Sequence, residues 1–166
     1  MSTARPYPSY DGSCYDVTDS VGYQIVNLVG LMRREVEGRM VEHGLTDAQW
    51  KPLMMLETGR ATTAFELARE MAADAGAVTR VLDRLEAKGL VERVRSETDR
   101  RVVHLRLTAA GREAASKVPH VLASVNNDFL RGFSEADWKQ LRKLIERMTN
   151  NGCALQNAKP EVEASA

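Results

Sequence analysis

Arg80, Arg84, Arg95, Arg100 and Arg101 crowd into one short stretch of the chain. A guanidinium stays charged at any physiological pH, and its planar fork of donors fits two phosphate oxygens or the O6 and N7 edge of guanine. The chain as a whole holds 23 Lys and Arg against 23 Asp and Glu, a formal net charge of zero, which by itself argues against a polyanionic partner. The distribution reverses that reading. From Arg80 to Arg112 there are nine basic and five acidic residues, a surplus of four, so the remainder of the chain carries a deficit of four. Local positive charge of this kind is what a phosphate backbone requires. Other chemistries find no constellation. Cys14 and Cys153 sit near opposite ends without a C-x-x-C pair, and His43, His104 and His120 are scattered, so neither a disulfide framework nor a metal site is expected. Without a Ser-His-Asp order or a Gly-rich phosphate loop, no catalytic residue and no cofactor is expected either.

The elements that must position these arginines can be read from periodicity. Val78, Val81, Leu82 and Leu85 recur at i, i+3, i+4 and i+7, which predicts a helix with Asp74 as N-cap and Gly89 just past its end. Gly76, Ala77, Arg80, Asp83, Arg84 and Ala87 project from the other side, a small-residue start followed by two arginines. After Gly89 the period becomes 2: Leu90 and Val91 enter a strand, Arg95 to Arg101 turn, and Val103, Leu105 and Leu107 alternate with His104 and Arg106. Upstream, the capping box Thr63-Ala64-Phe65-Glu66 opens a short helix, and Ala72-Ala73 makes the turn before Asp74. The expected fold is mainly α with a small β wing, a winged helix-turn-helix flanked by N- and C-terminal helices.

Asp99-Arg100-Arg101, five residues, then Leu107-Thr108 resembles the D-x-R-x5-L-T wing signature of the MarR family of transcriptional regulators, and Leu85-Glu86-Ala87-Lys88-Gly89-Leu90-Val91 matches the segment before that wing. The similarity extends more weakly over about residues 18–151. It implies a homodimeric DNA-binding repressor, usually released by a small ligand or an oxidant. It also implies that Asp99 orients Arg101, which enters a narrow minor groove, while the helix after Asp74 reads the major groove. Thr63, Ala75, Gly76, Ala77, Thr79, Arg80 and Arg84, with Arg95, Asp99, Arg100 and Arg101 of the wing, are the candidate DNA-binding residues. Relatives often carry Ser or Thr around Gly76 and Ala77; here those positions offer backbone approach in place of a hydroxyl.

The rest of the chain reads as the frame. Residues 1–17, with Tyr7, Tyr10 and Tyr15, form an irregular arm that orders by docking on a partner. From an N-cap at Thr18 or Asp19, a helix carries the stripe Val21, Ile25, Leu28, Val29, Met32, Val36 and Met40 up to His43-Gly44. Thr108 caps another helix, which Pro119 is expected to bend. Ser134 caps a last one bearing Trp138, Leu141, Leu144, Ile145 and Met148 and ending at Asn150-Asn151-Gly152. Stripes this long need a cover, so residues 18–45 and 109–153 are expected to intertwine in a two-fold homodimer around a DNA-binding domain of residues 46–108, with 154–166 as a disordered tail. The partner is then double-stranded DNA with near-palindromic half-sites about 10 bp apart or a multiple of it.

A second set of residues suits a small effector. Trp50 and Met54 lie one turn apart on a helix opened by the capping box Thr46-Asp47-Ala48-Gln49, His43 sits just upstream, and Tyr23 and Arg33 belong to the preceding helix. Aromatic walls, a polarisable sulfur and positive charge fit an aromatic carboxylate, and the resemblance points the same way. Two alternatives stand beside this reading. One is a thiol-based redox-sensing repressor, although the family's peroxide-sensing cysteine aligns nearer Gly22 than Cys14. The other is a winged-helix protein-interaction module. No apolar run approaches the roughly 18 residues that cross a bilayer, and the N-terminus lacks the apolar core of a secretory signal, so a cytoplasmic protein without membrane contact is expected.

Overall fold

Each helix starts where a side chain can take up its first amides. The order is α1 (Val21–Val41), α2 (Asp47–Glu57), α3 (Ala64–Glu70), α4 (Ala75–Ala87), β1 (Val91–Arg95), β2 (Val103–Leu107), α5 (Ala109–Phe129) and α6 (Glu135–Asn157). The structure, a computed structural model, describes residues 10–96, 98–99 and 102–158. Ser20, not Thr18 or Asp19, caps α1: its Oγ accepts from the Tyr23 amide at 3.3 Å. Thr18 is held one turn earlier, where its amide and hydroxyl donate to Asp16 Oδ1 at 2.8 and 2.6 Å. Part of the expected arm docks on this same end. Tyr10 Oη accepts from the Val21 amide at 2.9 Å, and its ring meets Tyr15 edge-on at 5.3 Å, so residues 10–20 find their partner in their own helix. Tyr7 lies outside the described residues.

The core of the winged helix gathers Leu53 of α2, Leu67 of α3, Val78, Leu82 and Leu85 of α4, and Val91 and Leu105 of the strands, all at most 5% exposed. Every one sits at the period its element imposes, 3.6 in the helices and 2 in the strands. Antiparallel β1 and β2 pair from Val91↔Leu107 to Arg95↔Val103. The stretch before α3 also joins the wing, because the Leu105 amide donates to the Thr62 carbonyl at 2.7 Å. Thr108 then fastens α5 to the end of α4. Its amide donates to the Leu90 carbonyl (3.1 Å), its hydroxyl donates to the Gly89 carbonyl (2.6 Å), and the same oxygen accepts from the Gly111 amide (3.0 Å). Behind this lock, Val36 and Met40 of α1 and Val118 and Val125 of α5 are buried, and Arg39 Nη1 donates to Ser124 Oγ at 2.8 Å. α5 runs as one helix through Pro119.

The chain divides into two compact units at Asn126. In the second, Ser134 and Asp137 form a reciprocal capping box that opens α6. That helix continues past Asn150-Asn151-Gly152 to Asn157, a correction both to the expected stop and to a tail starting at 154. The reason is local. A glycine ends a helix by adopting a left-handed conformation, which Gly152 does not, and a helical glycine costs only about 1 kcal/mol. Residues 159–166 lie outside the described set. No residue of α6 is buried, and Phe133, Trp138, Ile145 and Met148 are exposed. Along the first half of α1, Val26 (72%), Val29 (56%) and Leu28 (45%) are exposed as well. Among the described residues, no helix is long and apolar enough to cross a membrane.

Candidate nucleic-acid interface

The helix-turn-helix is fixed at its start by a carboxylate. Glu66 Oε2 accepts from the Thr62 amide (2.6 Å), the Thr62 hydroxyl (2.9 Å) and the Thr63 amide (3.1 Å), while Thr63 Oγ1 accepts from the Glu66 amide (3.2 Å). The Thr62 amide, more than any other contact, holds the Glu66 carboxyl below its ordinary range. The turn into α4 passes through Ala72, whose φ of 47° places a Cβ in the left-handed region. Asp74 Oδ2 then accepts from the Ala77 amide at 2.8 Å and sets the first residues of α4.

The exposed start of α4 is low and basic. Ala75 and Gly76 present almost no side chain, and Arg80 reaches back across them: a Cβ built on Gly76 would lie 3.5 Å from Arg80 Nη1 and 3.1 Å from Asp74 Oδ2. Arg80 and Arg84 are exposed on the side opposite Val78, Leu82 and Leu85, and among the described residues neither has a carboxylate within ion-pair distance. Two predicted contact residues are partly engaged inside the fold. Thr63 serves as the α3 cap, and the Thr79 hydroxyl donates to the Ala75 carbonyl at 2.9 Å. Ala77 is half-buried.

Arg95 closes β1 and is exposed. Beyond it the strand is extended by a tight tip, in which the Ser96 amide donates to the Val102 carbonyl and the Val102 amide to the Asp99 carbonyl, both at 2.9 Å. The Asp99 amide donates to Ser96 Oγ at 3.2 Å. Arg100 and Arg101 lie outside the described residues. The structure therefore brings Gly76, Arg80 and Arg84 together on α4 and sets Arg95 and Asp99 on the wing that follows it.

Sequence reasoning passed over Arg93. From β1 it reaches back to α4, with Nη2 at 2.7 Å from Asp83 Oδ1 and Nη1 on Glu86. The hydrogen bond it donates to Asp83, ahead of the other causes, raises the guanidinium above its already high ordinary value. The available signal was the parity Val91, Arg93, Arg95 set against Asp83 and Glu86 three apart. Lys88 was missed too. Its Nζ donates to the Gly44 carbonyl (2.8 Å) and to buried Gln49 Oε1 (2.9 Å), tying the end of α4 to the α1–α2 turn.

The effector candidates separate into two groups. Trp50 and Met54 line a cavity of about 330 Å³ together with Lys51, Met55, Thr58 and Arg60. Arg33 is joined to Trp50 through a residue not singled out in the sequence: Asp47 accepts from Arg33 Nη2 at 2.7 Å and from Trp50 Nε1 at 3.2 Å. The charge expected from Arg33 is thus spent on Asp47; of the cations at the cavity, Arg60 pairs with Glu70 at 2.8 Å, and Lys51, whose Nζ is 3.9 Å from Asp47 Oδ2, is the more loosely held. Tyr23 in the first turn of α1 and His43 just past its end stand about 30 Å apart at 1.5 Å per residue, so one chain cannot bring both to the same small molecule. Cys14 and Cys153 are both exposed free thiols.

Comparison with known proteins gives a consistent result. The family model described as "MarR family" matches residues 45–103. The transcriptional regulator PA3341 is 30% identical with a TM-score of 0.68, covering 83% of this chain and 99% of its own. The reduced form of MarR from E. coli is 25% identical with a TM-score of 0.71, over 78% of this chain and 96% of that one. A cysteine-to-serine mutant of E. coli MarR complexed with operator DNA is also 25% identical, with a TM-score of 0.69 over 81% and 99% of the two chains.

Proposed function

The chain belongs to the MarR family of transcriptional regulators, and from that premise we propose that it is a homodimeric repressor that binds near-palindromic operator DNA and leaves it when a small aromatic acid binds. One observation carries the DNA reading: the start of α4 offers a low, small-residue surface beside two exposed arginines that, among the described residues, have no carboxylate within ion-pair distance, the shape and charge that let a helix enter a major groove. The wing beside it supplies Arg95 and the Asp99-Arg100-Arg101 motif for the backbone and minor groove. The operator-bound E. coli relative supports the same use of the fold. As a transcription regulator the chain is not an enzyme, and its site needs no reacting group.

Two further observations support the finer parts. The first half of α1 is apolar on nearly every side yet exposed, and so is the apolar stripe of α6; a helix of that kind is stable when covered, and a second copy supplies identical helices to cover it. The cavity at Trp50 and Met54 combines an indole, two thioethers and the loosely held ammonium of Lys51, which suits an aromatic ring bearing a carboxylate. Such a ligand releases DNA only by as much as it prefers the released spacing of the two α4 helices, an expected coupling of about 1–3 kcal/mol, or roughly 5- to 150-fold in operator affinity. The test is to let the protein select fragments from mixed genomic DNA, then add aromatic acids while following Trp fluorescence and release. Selection of no fragment would favour a protein-interaction module. Release by peroxide alone, abolished by Cys14→Ser, would replace the ligand with a redox signal.

A further inference from the structure

Asp83 and Glu86 stand on the α4 face and flank that also carry Arg80 and Arg84. Asp83 is three residues from Arg80, close enough on a helix surface to form an i, i+3 ion pair with it. Such a pair would hold the guanidinium that the proposed function assigns to DNA, and the two carboxylates would themselves repel phosphate. In the structure Asp83 is paired elsewhere. Arg93 takes both carboxylates at once, Asp83 through Nη2 at 2.7 Å and Glu86 through Nη1. The strand pleat makes this possible, because Val91, Arg93 and Arg95 share one face of β1 and Val91 is buried against the core. Arg93 is itself only 31% exposed at the side chain, less than either carboxylate partner, and its fork is well matched to two acceptors.

We propose that Arg93 is a positioning residue for DNA binding: it sequesters Asp83 and Glu86 so that Arg80 and Arg84 stay available to the nucleic acid. The proposal rests on the DNA-binding reading above. Arg93 need not touch DNA, and that separates it from the contact residues. A phosphate contact, once removed, lowers the salt slope by about 0.9 whatever its neighbours are. A sequestering residue, once removed, harms binding only while the carboxylates remain.

The experiment is a mutant cycle on the full chain, with fluorescence anisotropy on a duplex selected by the wild type, at several salt concentrations. Arg93→Met is made in the native background and in Asp83→Asn/Glu86→Gln, with thermal melts to verify folding. In the native background the substitution is expected to weaken binding about 10-fold, and in the neutralised background by no more than about 2-fold. Arg93→Lys, which keeps one charge and one partner, is expected to fall between, and it replaces Arg93→Met in the cycle if that variant does not fold. Equal losses in both backgrounds, or no loss in the native one, would overturn the proposal while leaving DNA binding intact. A wild type that selects no duplex would remove the DNA reading and this proposal together.

Discussion

Gly111 sets the tightest tolerance in the molecule. A Cβ at that position would sit 1.9 Å from the Leu90 carbonyl oxygen, the same oxygen that accepts from the Thr108 amide. No side-chain adjustment relieves a clash with backbone, so α5 would have to lift off the end of α4. Gly111→Ala is therefore expected to destabilise the fold by about 3 kcal/mol, read as a lower urea midpoint. An unchanged midpoint would mean that the Thr108 lock is loose. The same lock holds Gly89 and Leu90 between α4 and the wing. Sequence alone offers Thr108 as a helix cap and a motif residue. It offers no sign that the glycine three residues later faces a carbonyl from another element, because that approach depends on the angle between α4 and α5.

At the scale of elements, α4 and the two strands were legible because burial is written into their own periodicity. Val78, Leu82 and Leu85 are core in the structure, as are Val91, Leu105 and Leu107. Contacts that depend on how elements lie against one another were not. Arg93 meets Asp83 and Glu86, and Lys88 meets Gly44 and Gln49, through the packing of one element on another; parity puts Arg93 on the face of Val91 but does not name its partners. Among the effector residues, Trp50 and Met54 could be paired by helical spacing, whereas Asp47 was seen only as part of a capping box. The turn between α3 and α4 gives a prediction of its own. Ala72 holds φ at 47°, where a Cβ crowds the following carbonyl, so Ala72→Gly is expected to raise stability by about 0.5–1 kcal/mol. Thermal melts check this. A decrease would mean that the Ala72 methyl contributes packing that outweighs the strain.

For the whole molecule, the balance of charge and apolar surface asks for two partners. The overall charge is neutral, but the stretch from Arg80 to Arg112 is basic and contains the wing and the last eight residues of α4. The apolar excess lies elsewhere, on the exposed first half of α1 and along α6. In the proposed function a polyanion takes the first surface and a second copy of the chain the second, giving a two-fold reader of a near-palindrome. Such a reader requires two chains on one site. Sedimentation velocity of the protein on its selected duplex tests this most directly. The expected result is a complex of two chains per duplex and, without DNA, a dimer with no folded monomer at about micromolar concentration. One chain per duplex, with a stable folded monomer in its absence, would contradict it.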